Sequence, residues 1–224
     1  MELRKSIFSI FFFSTIAIFP IENYSQTEKA NQFVIVVDPG HGGSDPGAVG
    51  INGNKEKDVV LKIAREMIRI SKSSPKNEFK IYLTRYKDSL ISLSDRTKLT
   101  KALKADVFIS LHCNHSNDPR ARGIEIYVSN RISHQSNESV LLAYQLQKEL
   151  RKKLGFESRG VKFANFQVLR ESVTDYPAIL LELGFLSNWE EEKWLNNPEN
   201  INHMASLILV AIRKSLNLDK KPKT

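Results

Sequence analysis

The amino-acid sequence predicts an α/β protein: a single domain in which helices cover both faces of a mostly parallel, twisted sheet of about six strands. Two observations support this prediction. Short apolar runs rich in β-branched residues are interspersed with segments in which apolar residues recur at helical spacing. The chain has 224 residues, of which 41% are hydrophobic, a size that can bury a core and fits one domain better than two.

The first residues are predicted to lie outside this domain. Arg4 and Lys5 precede an apolar run at residues 7–18, a pattern typical of a signal peptide. The run is shorter than the roughly 18 residues of a membrane-spanning helix, and no cysteine follows it for lipid attachment. We therefore predict a signal peptide at residues 1–25, a short linker at 26–32 and an exported protein without a stable membrane anchor.

The first strand of the domain is predicted at residues 33–37, where the run is β-branched and apolar. It ends at a glycine-rich loop that contains Asp38 and His41 and continues to Gly53. Helical spacing of apolar residues then predicts a helix from Asp58 to about residue 71, with Glu56 at its entrance.

The later elements follow from the same two periodicities. Predicted strands lie at 80–84, 107–112, 123–128, 166–169 and 178–183. Predicted helices lie at 94–103, with Ser92 or Ser94 as cap, at 138–154, terminated by Gly155, and at 198–216. Residues 219–224 form a polar tail.

Several polar side chains that could take part in catalysis or binding lie after or within the predicted strands. Asp38 and His41 follow the first strand, His112 and Asn114 follow the third, and Glu182 lies within the last. Since sites in such sheets form just beyond strand ends, these residues are the candidates for one site.

Glu182 interrupts the most apolar strand after the first. An ionised carboxylate in a covered strand is costly unless it is paired or lies beside a metal. The sequence leaves two readings open: a buried ion pair with an arginine such as Arg170, or a functional carboxylate.

His41, Glu56 and His112 could form a three-ligand zinc site with an open fourth position. Each also has a purely structural reading: His41 could brace the glycine loop, Glu56 could complement a helix dipole, and His112 could be a core histidine. Their spacing is long-range, so the pattern alone leaves both interpretations open.

Cys113 is the single cysteine, which excludes an internal disulfide. Strand alternation places His112 and Asn114 on one face and Cys113 on the other, away from the candidate site. A thiol nucleophile needs a histidine within hydrogen-bond reach, so we expect a buried, unreactive Cys113.

Other function classes lack their sequence signatures. The glycine loop has neither dinucleotide nor P-loop spacing, and the chain has no serine-hydrolase elbow. The net charge of +8 comes from scattered Lys and Arg without interleaved aromatic residues, so we expect a basic surface that favours anionic polymers and no nucleic-acid partner.

Four segments together resemble the motifs of a known enzyme family, in its order and with about its spacing. They are Val36-Val37-Asp38-Pro39-Gly40-His41-Gly42-Gly43 with Asp45-Pro46-Gly47-Ala48, Lys55-Glu56-Lys57-Asp58-Val59, Ser110-Leu111-His112-Cys113-Asn114, and Leu181-Glu182-Leu183-Gly184-Phe185-Leu186-Ser187-Asn188. The family is the type-3 zinc amidases that cleave N-acetylmuramoyl-L-alanine bonds, and the resemblance covers residues 33 to 216. It implies a zinc amidase catalytic domain at 33–218.

The resemblance also implies roles for individual residues. His41, Glu56 and His112 correspond to the ligands of one Zn²⁺ per chain, and Glu182 to the catalytic carboxylate. Arg170 and Asn114 are candidate substrate contacts. The implied reaction is hydrolysis of the amide between N-acetylmuramic acid and L-alanine in peptidoglycan, for wall remodelling or daughter-cell separation by a periplasmic monomer.

The chain departs from the family pattern at Cys113, where a small residue such as Ala is usual, which bears on local packing. Regulated members carry a long helix after the fourth strand, whereas residues 129–138 are short and polar here. We therefore predict an open groove and activity without an activator protein. Alternative functions are a zinc peptidase or deacetylase acting on cell wall, or a non-catalytic wall-binding protein on the same scaffold.

Overall fold

A computed structural model describes residues 32–218 of the chain. The predicted signal peptide, nearly all of the predicted linker and the polar tail lie outside the described residues. Within them, no helix has the length and apolar character needed to cross a membrane.

The described chain contains six strands and six helices. The strands are β1 (Phe33–Pro39), β2 (Phe79–Leu83), β3 (Val107–Asn114), β4 (Ile124–Ser129), β5 (Ser158–Ala164) and β6 (Ala178–Phe185). The helices are α1 (Glu56–Ser73), α2 (Leu93–Ala102), α3 (Ser136–Leu154), α4 (Gln167–Ser172), α5 (Trp189–Leu195) and α6 (Pro198–Ser215).

The strands form one sheet in the order β2-β1-β3-β6-β4-β5. Neighbouring strands are parallel except at β4 and β6, which pair antiparallel. Four strands therefore run one way, and β4 and β5 form a reversed pair at one side. The predicted six-stranded, mostly parallel sheet is confirmed.

The two faces of the sheet bury cores of different size. On the face we call the large-core face, α1, α3 and α6 cover strand residues such as Ile35, Ile109 and Leu181. On the opposite face, called the site face, a smaller cluster joins Phe108 and Leu180 to residues of α4. The predicted helical cover on both faces is thus confirmed, and the site face is the less completely covered one.

Local chain chemistry explains several element ends. The Ser92 side chain accepts a hydrogen bond from the Asp95 N–H and caps α2, which selects it over Ser94. Gly155 ends α3 in the left-handed conformation, at φ 71°, as predicted. Asn197 caps α6, whose first residue is a proline.

The strand predicted at residues 166–169 is wrong. Phe166 is the N-cap of the short helix α4, which buries Val168 and Leu169. A four-residue apolar run fits one helical turn as well as a strand, and periodicity cannot separate the two. The sixth strand is instead β5, whose alternation is interrupted by a β-bulge at Gly160, where φ is +85°.

Helix α5 was also absent from the sequence prediction. It is seven residues long, and three consecutive glutamates follow its first residue, Trp189, so it shows no clear apolar stripe. The side chain of Asn188 caps it by accepting hydrogen bonds from the N–H groups of Glu190 and Glu191. Its short length and strong acidic character hid it from a search based on apolar spacing.

Candidate active site

The glycine loop after β1 places His41 beside the end of β3. The Gly40 N–H donates to the Leu111 carbonyl at 3.0 Å, which keeps the loop against that strand. His41 itself has a φ of 60°, a left-handed conformation that few residues other than glycine adopt. A Cβ at Gly40 would overlap the ring of His112, so only glycine allows the loop to approach this closely.

Two buried arginines fix the loop from the site face. Arg85 Nη2 donates to the Gly40 carbonyl at 2.8 Å, and its Nε donates to the Pro39 carbonyl at 2.9 Å. Arg96 donates to the carbonyls of Pro39 and His41 at 2.9 and 2.8 Å. The backbone that carries His41 is therefore hydrogen-bonded at three consecutive carbonyls.

Asp38, at the end of β1, completes this arrangement. It accepts hydrogen bonds from Arg96 Nη1 at 2.6 Å, from Thr84 at 2.5 Å and from Ser110 at 2.8 Å. The carboxylate is 1% exposed and fully bonded, so it orients Arg96 and does not face substrate. Sequence reasoning noted Asp38 as a polar group but missed both arginines, because their partners lie far away along the chain.

The side chains of His41, Glu56 and His112 converge. One ligand atom from each lies within 4.8 Å of the others. Glu56 Oε1 is 3.1 Å from His41 Nε2 and 2.9 Å from His112 Nδ1. The other ring nitrogen of His41 contacts Asp45 Oδ2 at 2.7 Å. The structure thus brings together three residues whose separate structural roles the sequence had left open.

Glu56 is held in place by backbone groups as well as by histidines. Its Oε2 accepts from the Ala48 N–H at 2.8 Å, and its Oε1 accepts from the Cys113 N–H at 2.9 Å. Burial works against ionisation, but hydrogen bonds with His112 and His41 hold the pKa of Glu56 at about 2. Burial likewise opposes the charged form of His41, yet Glu56 and Asp45 raise its pKa to about 9.

This donor set fits a zinc ion. Two imidazole nitrogens and one carboxylate are a common catalytic zinc set that leaves a fourth position open. The contact between His41 and Asp45 matches the carboxylate that usually orients a metal-binding histidine. Protons and a divalent cation compete for the same ring nitrogens, so the shifted pKa of His41 describes the protein groups alone.

Glu182 lies next to this cluster on β6, where its Cα partners are His112 on β3 and Glu125 on β4. Its Oε2 is buried and finds no hydrogen-bond partner among the described residues. Burial, together with the nearby carboxylates of Glu56 and Glu125, raises the pKa of Glu182 to about 7. A half-buried carboxyl with a raised pKa beside a possible metal cluster is a candidate for proton transfer.

The alternative reading of Glu182 as half of a buried ion pair with Arg170 is wrong. The Arg170 guanidinium instead donates to the backbone carbonyl and side chain of Asn165 at 3.0 and 2.9 Å. Arg170 lies on α4 and is half-buried. The structure therefore leaves the Glu182 carboxyl without a charge partner from α4.

Cys113 and Asn114 are the last two residues of β3, and their side chains point to opposite faces of the sheet. Asn114 Nδ2 donates to Glu125 Oε2 at 3.3 Å, on the same side of the sheet as Glu182. Cys113 belongs to the large core, as strand alternation predicts, and burial raises the pKa of its thiol well above the usual value. A thiolate nucleophile does not fit this environment.

A cavity of about 790 Å³ opens beside the cluster on the site face. His41, His112 and Glu182 line one side of it. Its other walls are largely apolar and come from the entrances of α2 and α4 and from β6: Leu90, Ile91, Leu93, Phe166, Val168 and Leu180. The exposed apolar side chains here form a groove that leads to the converging polar groups.

Glu125 is a polar residue of the site that sequence reasoning missed. It lies in β4 between Ile124 and Ile126, which face the large core. Because side chains alternate along a strand, the sequence could have predicted that Glu125 lies on the site face, opposite Ile124 and Ile126. Its partner Glu182 could not be identified without the antiparallel pairing of β4 and β6.

Comparison with known proteins gives one consistent result. The family model described as N-acetylmuramoyl-L-alanine amidase matches residues 35–214. The endolysin of Bacillus phage SPP1 is 36% identical over 190 residues, which are 84% of this chain and 68% of that protein. A probable cell wall amidase, LytH of Staphylococcus epidermidis, is 37% identical over 73% of this chain, which spans about half (51%) of its length.

Solved structures agree with the sequence comparisons. The catalytic domain of CwlV, an N-acetylmuramoyl-L-alanine amidase from Bacillus (Paenibacillus) polymyxa var. colistinus, superimposes with a TM-score of 0.74 at 37% identity. The match covers 83% of this chain and 99% of that domain. The described α/β domain therefore has the fold of an amidase catalytic domain.

Proposed function

This chain belongs to the N-acetylmuramoyl-L-alanine amidase family, and from that premise we propose that it hydrolyses the amide between N-acetylmuramic acid and L-alanine in peptidoglycan, with zinc as cofactor. The observation that carries the proposal is the position of Glu182 beside the cluster of His41, Glu56 and His112: the residue is half-buried, and its Oε2 finds no hydrogen-bond partner among the described residues. A non-catalytic scaffold has no need for this costly arrangement.

One Zn²⁺ per chain is the proposed cofactor, held by His41, Glu56 and His112. When bound, zinc supplies a Lewis acid that polarises an amide carbonyl and acidifies water. The chain's own contribution is to fix the ligands: Asp45 orients His41, and the Ala48 and Cys113 N–H groups orient Glu56. Such second contacts commonly contribute about 10–100-fold to metal affinity.

Glu182 is proposed as the group that moves protons. Its carboxylate form accepts a proton from the attacking water, and the resulting carboxylic acid gives that proton to the departing L-alanine nitrogen. In the protein groups alone, burial raises the pKa of Glu182 to about 7, and a bound divalent cation acts in the opposite direction by favouring the carboxylate that accepts the water proton. Oε2 has no hydrogen-bond partner within the described chain, and the residue lines the cavity beside the metal-ligand cluster.

The proposed setting is the cell envelope. The positive, apolar N-terminal sequence supports export to the periplasm, and the similarity to a probable cell wall amidase supports peptidoglycan as substrate. A role in wall remodelling or daughter-cell separation as a monomer fits this setting.

The proposed enzyme acts without an activator. Residues 130–135 join β4 directly to α3, so the described chain has no helix inserted there to cover the cavity. Turnover of the purified protein should change less than about twofold when extracts or candidate envelope proteins are added. A manyfold rise in turnover would contradict this part of the proposal.

Product analysis tests the proposed reaction against its alternatives. Purified enzyme is incubated with intact peptidoglycan, and the released products are identified by mass spectrometry. An amidase releases intact stem peptides from glycan, whereas a zinc peptidase shortens the stems and a deacetylase releases acetate. A wall-binding protein releases nothing.

The metal is tested in the same assay. Removal by a chelator should abolish release of stem peptides, and stoichiometric Zn²⁺ should restore it. Intact activity after complete metal removal, verified by elemental analysis, would contradict the zinc proposal. A variant of His203 serves as a control for the loss of one histidine. Because His203 lies on α6 and outside the cluster, the variant should keep the same dependence on zinc.

A further inference from the structure

A row of charged residues crosses the site face from β3 to β5. His112, Glu182 and Glu125 are successive Cα partners on β3, β6 and β4. Side chains of directly paired residues point to the same face of a sheet. The metal-ligand cluster therefore lies on one side of Glu182, and Glu125 with its own partners lies on the other.

Glu125 is a saturated anchor and not a second proton carrier. Its Oε1 accepts from Arg159 Nε and, at 2.9 Å, from Lys162 Nζ. Its Oε2 accepts from the Tyr127 hydroxyl at 2.7 Å and from Asn114 Nδ2 at 3.3 Å. Burial opposes ionisation, but these donors hold the pKa of Glu125 below its usual value. The carboxylate is thus ionised and fully bonded.

Two cations on one carboxylate leave a net positive charge. Arg159 and Lys162 have side chains that are 35% and 40% exposed, and both come from β5. Among the described residues, Arg159 Nη2 donates to none, and Lys162 bonds only to Glu125. Donors pointing to solvent remain on both side chains.

Aromatic rings hold the two cations in place. The Arg159 guanidinium lies 5.1 Å from the centroid of Phe185, and Lys162 Nζ lies 5.8 Å from that of Tyr127. The ring of Tyr127 is in turn packed edge-on against Phe166, 5.2 Å away, in the wall of the cavity. The pair of cations thus lies outside the cavity, separated from its wall by the ring of Tyr127 on the side of β4 and β5.

The opposite side of the cluster has a different charge. The cavity wall there includes the carboxylates of Asp45 and Asp95. The arginine in this wall, Arg96, donates its hydrogen bonds to Asp38 and to backbone carbonyls. An anionic group is therefore disfavoured in the cavity and favoured beside Arg159 and Lys162, whereas an uncharged sugar suits the apolar cavity.

We propose that Arg159 and Lys162 form a carboxylate-binding subsite that receives the peptide part of the substrate over β4 and β5, while the sugar occupies the cavity beside α2 and α4. The inference rests on the proposed amidase function and adds the direction in which the substrate crosses the sheet. It also assigns specificity: a free carboxylate close to the scissile amide improves binding.

The test compares two synthetic N-acetylmuramoyl tripeptides that differ in one group. In both, the second amino acid is a glutamate joined to the third through its side-chain carboxyl; its α-carboxylate is free in one tripeptide and is a primary amide in the other. The wild-type holoenzyme should have a kcat/KM about tenfold higher for the carboxylate form, mainly through KM, because a charge-assisted hydrogen bond is lost with the amide.

The variant Arg159→Gln/Lys162→Gln should reduce this preference to about unity. Lys162→Gln alone should give an intermediate ratio while leaving Arg159 to pair with Glu125. Lys148→Gln, a change of an exposed lysine on α3, is the matched control and should keep the wild-type ratio. Because each ratio compares two substrates of one protein, a general effect on folding cancels.

Outcomes separate the inference from the function beneath it. Equal kcat/KM of the wild type for both tripeptides, or an unchanged ratio in the double variant, overturns the subsite and leaves the amidase standing. Failure of the wild-type holoenzyme to release peptide from either tripeptide and from peptidoglycan overturns the proposed function, and the subsite with it.

Discussion

Two carboxylates on the site face, the buried Asp38 at the end of β1 and the half-buried Glu182 in β6, have opposite surroundings. Asp38 accepts hydrogen bonds from Arg96, Thr84 and Ser110, and it helps to orient the arginine that binds the glycine loop. Glu182, two strands away, has a buried oxygen with no partner in the described chain.

The difference shows how one sheet edge supplies both rigidity and reactivity. A fully bonded carboxylate is fixed by its donors and orients the groups around it. A carboxyl without hydrogen-bond partners lowers stability through its desolvation penalty. The same surroundings shift its pKa, which is typical of groups that transfer protons. We therefore expect that changes at Asp38 and its partners affect folding, whereas changes at Glu182 affect turnover.

The largest expected effect is that of Glu182→Gln. Removing the proton carrier should lower kcat on peptidoglycan by about 10²–10⁴-fold. Bound zinc, measured by elemental analysis, should stay at one per chain, and thermal stability should not fall, because the costly buried carboxyl is gone. Loss of zinc together with activity would show that Glu182 is part of the metal site and not its neighbour.

For Asp38, the corresponding test is Arg96→Met, which should affect stability. It leaves Asp38 without its cation in a buried position, and breaking such a pair costs about 3–5 kcal/mol of unfolding free energy. Urea denaturation of the purified variant measures this loss. The control is Arg120→Ala, since Arg120 forms an exposed pair with Asp118 and should give no measurable change.

A pH series on metal-free protein sharpens the contrast further. The Glu182 carboxyl has a pKa of about 7 in the folded chain and 4.5 as the reference. Between these values the unfolded chain releases the proton while the folded chain retains it, so stability falls as pH rises and levels off above about pH 7.

The wild type should therefore lose about 3 kcal/mol relative to Glu182→Gln between pH 4.5 and 7. Urea unfolding at intervals across this range measures the difference between the two proteins, in which contributions common to both cancel. A constant difference would mean that the Glu182 carboxyl is not destabilised by burial.

The smallest effect is expected at Cys113→Ala. The thiol packs in the large core, on the opposite side from Glu182, so its removal should cost about 1 kcal/mol of stability. Activity should remain, and thiol reagents should modify the wild type only after denaturation. Rapid inactivation of the native enzyme by such a reagent would place the thiol on the wrong face of β3.

Sequence periodicity correctly predicted the helices and strands whose apolar residues recur at one regular spacing. The interior of α1 repeats at helical spacing, and the apolar run of β6 matches a covered strand. By contrast, α4 and α5 are short, and β5 contains a bulge, so no regular period marks them. These are the elements that were wrong or missing.

The candidate site shows the same limit. His41, Glu56 and His112 were selected because each follows a strand or enters a helix and matches a family motif, and the structure brings them together. The partners that hold them in place, such as Arg85 and Arg96, could not be found because tertiary folding alone decides which arginine is buried. Similarly, only strand order reveals that Glu125 lies beside Glu182.

The single extra residue in β5 has a geometric consequence for Arg159 and Lys162. Three positions apart in a regular strand, they would point to opposite sides, and one would enter the apolar layer under α3. The shift in pairing around Gly160 resets this parity, so that both reach the same acceptor. Deleting Gly160 would leave the two residues two positions apart, so a regular strand would still direct both charges to the site face.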